Sequence, residues 1–296
     1  MTNVLVAGSS GLIGTALCRE LRTRGHVARR LLRRAPVDRD DLRWEPGTPL
    51  SPAHLSGVDA VVNLAGAGIG DRRWTAEYKE VIRASRVTAT RTLAEAVAAA
   101  DHPVRLVQAS AVGYYGDRGD EPLDEVSARG RGFLAEVVTD WERSAAPAVD
   151  AGASVAYLRT GIVLAPGGGA AAPLVRLGRL GLLGPMGTGD QWWPWITLAD
   201  EVAAIIHLIE RPRIVGPVNA VGPEPARQRD VAGALAAALH RPALVPTPAF
   251  ALRAVMGEFA SDILGSQRIV GSVLVDSGFV HVHGDLVAAA TYVTGR

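Results

Sequence analysis

The stretch Asn3-Val-Leu-Val-Ala7-Gly8-Ser9-Ser10-Gly11-Leu12-Ile13-Gly14 decides the fold. Asn3–Ala7 is short and almost wholly apolar, the pattern of a strand buried on both faces. It runs into a glycine turn and then into a helical pattern with Ile13, Leu17 and Leu21 on one face. Gly25-His26 closes that helix, and Val27–Leu32 resumes as a strand, with Arg29 and Arg30 pointing out of the sheet or lying along its edge. Strand, glycine turn, helix and strand make one complete βαβ unit.

The alternation continues outward from this unit. Residues 42–44 read as a weak third strand, 59–64 as a strong fourth, 77–100 as a long helix and 105–109 as a fifth strand. A helix over 133–151 and a strand over 154–163 follow, so the spacing predicts an α/β protein with a doubly wound parallel sheet. Beyond Val163 the texture changes to Pro166-Gly-Gly-Gly169, Gly178, Gly181, Gly184, Gly187 and Gly189, a long structured excursion. A helix over 199–210 and a strand over 216–222 return to the sheet, and mostly short helices fill the remainder. The expected division is therefore a nucleotide-binding domain over 1–165 and 199–222, with a smaller, mostly helical lobe over 166–198 and 223–296.

Composition narrows the functional classes. The 296 residues are 48% hydrophobic and 21% charged, which argues for a globular chain and against disorder. Lys and Arg total 31 against 30 Asp and Glu, so there is no global field for nucleic acid or an anionic membrane. The Arg29–Arg34 run is too short and isolated to argue for nucleic acid. Cys18 is the single cysteine, no targeting segment is recognised, and no apolar run approaches the ~18 residues of a membrane span, so a cytoplasmic location is expected. Lys79 is the only lysine.

The loop Gly8-Ser9-Ser10-Gly11-Leu12-Ile13-Gly14 sits after a buried strand and before a helix. There it frees backbone N–H groups and the helix dipole to hold a pyrophosphate, whereas the plainer alternative is a tight turn with close helix packing. An NAD site calls for an acidic residue about 20 residues past the glycines, and a 2′-phosphate calls for arginine instead. This chain supplies Arg33 and Arg34, and its next acid, Asp38, lies beyond the turn, so NADP(H) is the expected cofactor. Asn63-Leu64-Ala65-Gly66 ends the fourth strand where open α/β sheets place ligands, with small residues that let a cofactor approach. Gln108-Ala-Ser110-Ala-Val-Gly-Tyr114-Tyr115-Gly116 ends the fifth strand and brings a hydroxyl and two phenols to the same edge. Trp192, Trp193 and Trp195 suit a pocket wall or, more commonly, core packing. His281 and His283 with Asp285 lack a third well-placed ligand, so no metal is expected.

The glycine loop, Asn63-Leu-Ala-Gly66 and Ser110-Ala-Val-Gly-Tyr-Tyr-Gly116 together resemble the extended short-chain dehydrogenase/reductase superfamily. Asp71-Arg-Arg-Trp74-Thr, Ser85-Arg-Val, Trp141-Glu142, Arg159-Thr-Gly-Ile-Val-Leu164, Gly187-x-Gly-x-Gln191, Trp195-Ile196 and Gly216-Pro-Val-Asn219 narrow the likeness to its atypical YfcH-type, epimerase-like subgroup, some of whose members are called SulA-like cell-division inhibitors. From about Thr247, Gly257-Glu258 and Gly278-Phe279 are similar to the domain of unknown function that closes such chains. The resemblance covers essentially the whole chain. It implies a Rossmann domain binding NADP(H) and an oxidoreductase or epimerase-like activity on a small carbonyl or hydroxyl substrate. A nucleotide-binding regulatory protein, or a non-redox dehydratase or cyclase, are the alternatives. Homodimerisation is left open.

Two departures matter. The subgroup's Trp-Ile-His is Trp195-Ile196-Thr197 here, so no role is carried over from that histidine. The superfamily's Tyr-x-x-x-Lys pair, in which the lysine orients the cofactor ribose and acidifies the tyrosine, is replaced by Phe133-Leu-Ala-Glu-Val137, and no lysine follows Ser110. The resemblance then leaves Ser110 to polarise the substrate oxygen and Tyr114 or Tyr115 to donate a proton. That arrangement favours carbonyl reduction, because a phenol near pKa ~10 is a poor base at neutral pH.

Overall fold

The computed structural model describes every residue except Val37, Arg39 and Arg296. Seven parallel strands form the main sheet in the order Gly216–Ala220, Val155–Thr160, Arg105–Ala111, Ala60–Asn63, Asn3–Ala7, Val27–Leu32, Leu42–Arg43. Val4 pairs with Ala28 on one side and Ala60 on the other, so the first strand is central. Its Val4, Leu5 and Val6 are fully buried, as the two-sided apolar run requires.

Each face of the sheet carries its own core. Leu17, Cys18 and Leu21 of helix Leu12–Thr23 pack on one face with Ile205 and Leu208 of helix Leu198–Glu210. Ala89, Leu93 and Val97 of helix Ala76–Ala98 cover the other, beside Trp44 and Leu55. The strand order reverses between Asn3–Ala7 and Ala60–Asn63, which opens a crevice at their carboxyl ends.

Three expectations are corrected in detail. The helix expected over 133–151 is two, Phe133–Arg143 and Ala146–Asp150, because Pro147 fits only the first turn of a new helix. The strand expected over 154–163 stops at Thr160. Beyond Gly161, Ile162–Ala165 leaves the main sheet to pair with Trp195–Thr197 and Gly168–Gly169. Gly161 permits this turn: a Cβ there would lie 2.2 Å from the Pro194 carbonyl oxygen. Within the expected lobe, helices Ala171–Arg179, Gln228–Ala238 and Leu286–Thr294 share a separate core with Leu164, Trp193 and Trp195. Leu274 and Phe279, however, pack into the core beneath the main sheet. Among the described residues no helix is long and apolar enough to cross a membrane.

Candidate active site at the carboxyl edge of the sheet

The glycines of the first turn do different work. Gly8 has φ +77°, and a Cβ on it would lie 2.5 Å from the Leu64 backbone. A Cβ on Gly14 would lie 2.3 Å from the Gly8 oxygen. Both are therefore demanded by the protein's own packing. Gly11 is not: a Cβ there meets only the Gly8 oxygen, at 3.4 Å. It caps helix Leu12–Thr23 with no side-chain hydrogen bond and no acid in the first turn, so the N–H groups of that turn face outward. Ser9 is buried, yet its hydroxyl has no partner. An open cradle, free N–H donors and an orphaned hydroxyl fit an anionic group such as a pyrophosphate.

Beside this turn is a cavity of about 280 Å³ lined by Ser9, Ser10, Thr15, Arg22, Arg30 and Arg34, among others. Arg34 thus faces the cavity. Arg33 is exposed and is not among its lining residues. Arg22 and Arg30 were not singled out as site residues from sequence. Arg30 is held by Asp41 at 2.7 Å and by Asp38 at 2.6 Å, so much of its charge is already compensated. Across the crevice, Leu64 and Ala65 are half-buried and Gly66 is exposed. Asn63, fully buried, fixes this turn by accepting from the Ala65 N–H and donating to Thr90 and Gln108. Leu12 is partly exposed and Ile13 half-buried at the helix start, and Leu12 lies against the Gly168-Gly169 turn.

The end of the fifth strand is built otherwise. Ser110 is buried and donates to the Glu142 Oε1 at 2.6 Å. Arg159 grips both oxygens of Glu142, each at 2.9 Å. Burial opposes the Arg159 charge, but its bonds to Glu142 prevail and hold its pKa above the ordinary value. Tyr115 is fully buried, donating to Asn219 at 2.7 Å and accepting from Arg159 at 3.0 Å. Burial pushes its phenol up to about 12. These two hydroxyls, expected to polarise the substrate oxygen and to donate a proton, belong to a closed network in which the strand end directs them onto Glu142 and Asn219. Tyr114 is half-buried, with the Arg159 guanidinium 3.6 Å from its ring centroid and no hydrogen bond from its hydroxyl to another described residue. Glu142, Arg159 and Asn219 lie in motifs that carry the resemblance, but nothing in their spacing announced a joint network.

Phe133 starts its helix beside this edge. Its ring meets Trp74 at 5.0 Å and the Lys79 ammonium at 5.1 Å, and Lys79 pairs with Glu258 of the C-terminal segment at 2.5 Å. Val137 is buried among Tyr78 and Ile82. Trp193 and Trp195 are core residues, while Trp192 stacks beneath Arg227 and Arg268. His281 bonds the Val221 carbonyl, His283 lies 3.0 Å from the Thr197 hydroxyl and 3.3 Å from Asp200, and Asp285 caps the last helix.

Residues 4–222 match the NAD dependent epimerase/dehydratase family, and residues 247–293 match a domain of unknown function, DUF1731. The chain is 43% identical over 295 residues to the epimerase family protein Mb2239 of Mycobacterium bovis, covering 99% of this chain and 98% of that one. It is similar to the crystal structure of the human epimerase family protein SDR39U1 with NADPH, with a TM-score of 0.91, 32% identity and full coverage of both chains. A nucleoside-diphosphate sugar epimerase from Corynebacterium glutamicum gives a TM-score of 0.83 at 36% identity, covering 99% of this chain and 58% of that one.

Proposed function

The chain belongs to the NAD dependent epimerase/dehydratase family, and from that premise we propose that it binds NADP(H) and reduces a small carbonyl substrate. The observation that carries the reading is the glycine turn: Gly11 is the one glycine of the three that the protein's own packing does not require, and it lies beside the orphaned Ser9 hydroxyl. A pyrophosphate there would take the free N–H groups of residues 12–14 and the Ser9 hydroxyl. Gly8, Leu12 and Ile13 would shape this cradle, with Leu64, Ala65 and Gly66 across the crevice. Arg34, in the adjoining cavity, would take the 2′-phosphate by charge-assisted hydrogen bonds, each worth about 1.5–3 kcal/mol, with the exposed Arg33 adding at most a weaker contact. That human SDR39U1 is seen with NADPH supports this choice.

When bound, the cofactor supplies hydride. The protein's part is to orient the substrate and provide a proton. Ser110 and Tyr115 act as scaffold through Glu142 and Asn219, which leaves the Tyr114 hydroxyl as the donor at this edge. Residues 166–198 and 223–296 would enclose the substrate. Steady consumption of NADPH with a panel of aldehydes and ketones, and its loss in Tyr114→Phe, is the expected result. Tight NADPH binding with no turnover across the panel would favour the nucleotide-binding regulatory reading, which the Phe133 and Val137 replacements also suit.

A further inference from the structure

The helix that would carry the family's lysine carries none, yet a cation from its neighbour lies against the same helix face. Val137 stands at the lysine's position, and Trp141, four residues on, shares its face. Against that face lies Arg86 of helix Ala76–Ala98. Its guanidinium is stacked 5.0 Å over the Trp141 ring, and Ile82, one turn before it, packs with Val137. Arg86 Nη1 donates to the Ala67 carbonyl at 2.9 Å and to the Ile82 carbonyl at 3.1 Å. A Cβ placed on Gly66 would lie 3.2–3.4 Å from Arg86 Cγ, Cζ and Nη1. The arginine therefore sits directly behind the turn that ends the fourth strand, at the crevice where the strand order reverses.

Its charge is uncompensated. The other cations of this helix face are paired: Lys79 with Glu258, Arg83 with Asp140 and Glu136. Arg86 has no carboxylate partner among the described residues, and its Nε and Nη2 donate to none of their acceptors. Burial pulls its pKa down to about 10, so it stays protonated at neutral pH. Partly burying an unpaired cation costs stability that a hydrophobic residue against Trp141 would avoid. Such a cost is repaid where a ligand brings the missing acceptors.

We propose that Arg86 binds the nicotinamide-side ribose and its phosphate, replacing from the adjacent helix the contact that a lysine at position 137 would make. The inference rests on the NADP(H) reading. It also separates two duties that a lysine combines. Arg86 holds the ribose, but Phe133 leaves no phenol for the charge to acidify, so the cation binds without entering a proton relay.

The test is titration of NADPH and of 2′,5′-ADP, which lacks the nicotinamide half, against wild type, Arg86→Met and Arg86→Lys. The expected result is that Arg86→Met weakens NADPH by about ten- to a hundredfold while 2′,5′-ADP changes by less than about twofold. Arg86→Lys recovers part of the loss and, if Arg86→Met fails to fold, carries the same comparison. Unchanged NADPH affinity in the folded variant, or equal weakening of both ligands, overturns the assignment. Failure of the wild type to bind either ligand overturns the cofactor reading itself.

Discussion

The glycine turn and the end of strand Arg105–Ala111 lie on the same edge of one sheet with a single strand between them, yet they treat their polar groups in opposite ways. At the turn, donors are left without acceptors: the N–H groups after Gly11 and the buried Ser9 hydroxyl, while behind the neighbouring Gly66 turn only Nη1 of Arg86 is engaged among the described residues. At the strand end most polar groups are paired internally, with Ser110, Glu142, Arg159, Tyr115 and Asn219 joined in one chain of bonds and, among the described residues, only the Tyr114 hydroxyl left over. Buried polar groups cost free energy when unmet, so the open donors at the turn suit a ligand and the paired groups at the strand end suit a scaffold. The difference teaches that residue type alone misleads here. Ser110 and Tyr115, reactive-looking by type, are held in internal bonds, while the Ser9 hydroxyl and the N–H groups after Gly11 are left open.

The comparison breaks first if the closed network proves dispensable. Arg159→Met strands the Glu142 carboxylate, and the expected loss is about 3–5 kcal/mol of unfolding free energy in urea. A loss below about 1 kcal/mol would mean that water already satisfies Glu142. Next in size, Gly11→Val should leave the unfolding midpoint nearly unchanged, because a side chain there meets little protein, while NADPH affinity falls at least about a hundredfold by calorimetry. Retained affinity would return the loop to a purely structural turn.

Glu201 sharpens the contrast from within the closed side. It is fully buried on helix Leu198–Glu210, accepting from Thr160 through one oxygen while the other has no partner. Burial pushes its carboxyl up to about 8. The folded state thus holds the proton more tightly than the unfolded chain does. Its stabilising contribution is complete below the unfolded value near 4.5 and is lost as pH rises through about 8. The slope should approach at most about 1.4 kcal/mol per pH unit, and Glu201→Gln should flatten it in melting curves between those limits. The smallest effect separates the two arginines. Arg34→Ala should lower NADPH affinity about tenfold without touching NADH, and Arg33→Ala should lower it by no more than about twofold. The reverse ranking would move the 2′-phosphate out of the cavity beside Ser9.

Much of this arrangement was legible before any coordinates. An apolar pentapeptide, three glycines at fixed spacing and Ile13, Leu17 and Leu21 on one helical face specify a strand, a turn and a helix through contacts only a few residues apart. The same locality made the missing lysine decisive, since a count needs no structure. The break at Pro147 could also have been read, because a proline inside an expected helix must start a new one. The departure of Ile162–Ala165 from the main sheet could not, since its cause is the Pro194 carbonyl, which receives the Ile162 N–H from over thirty residues away.

Residue types and their spacing therefore determined the parallel sheet, the crevice at its reversal and the residues able to approach a dinucleotide there. What the tertiary structure decided was which of those groups are free. Whether Ser110 faces a substrate or Glu142, and whether Arg86 finds a carboxylate or is left with backbone carbonyls, depends on a partner 32 residues away in the first case and, in the second, on there being no acid paired with it among the described residues. Satisfaction of a hydrogen bond is a property of a pair, and sequence lists only the members.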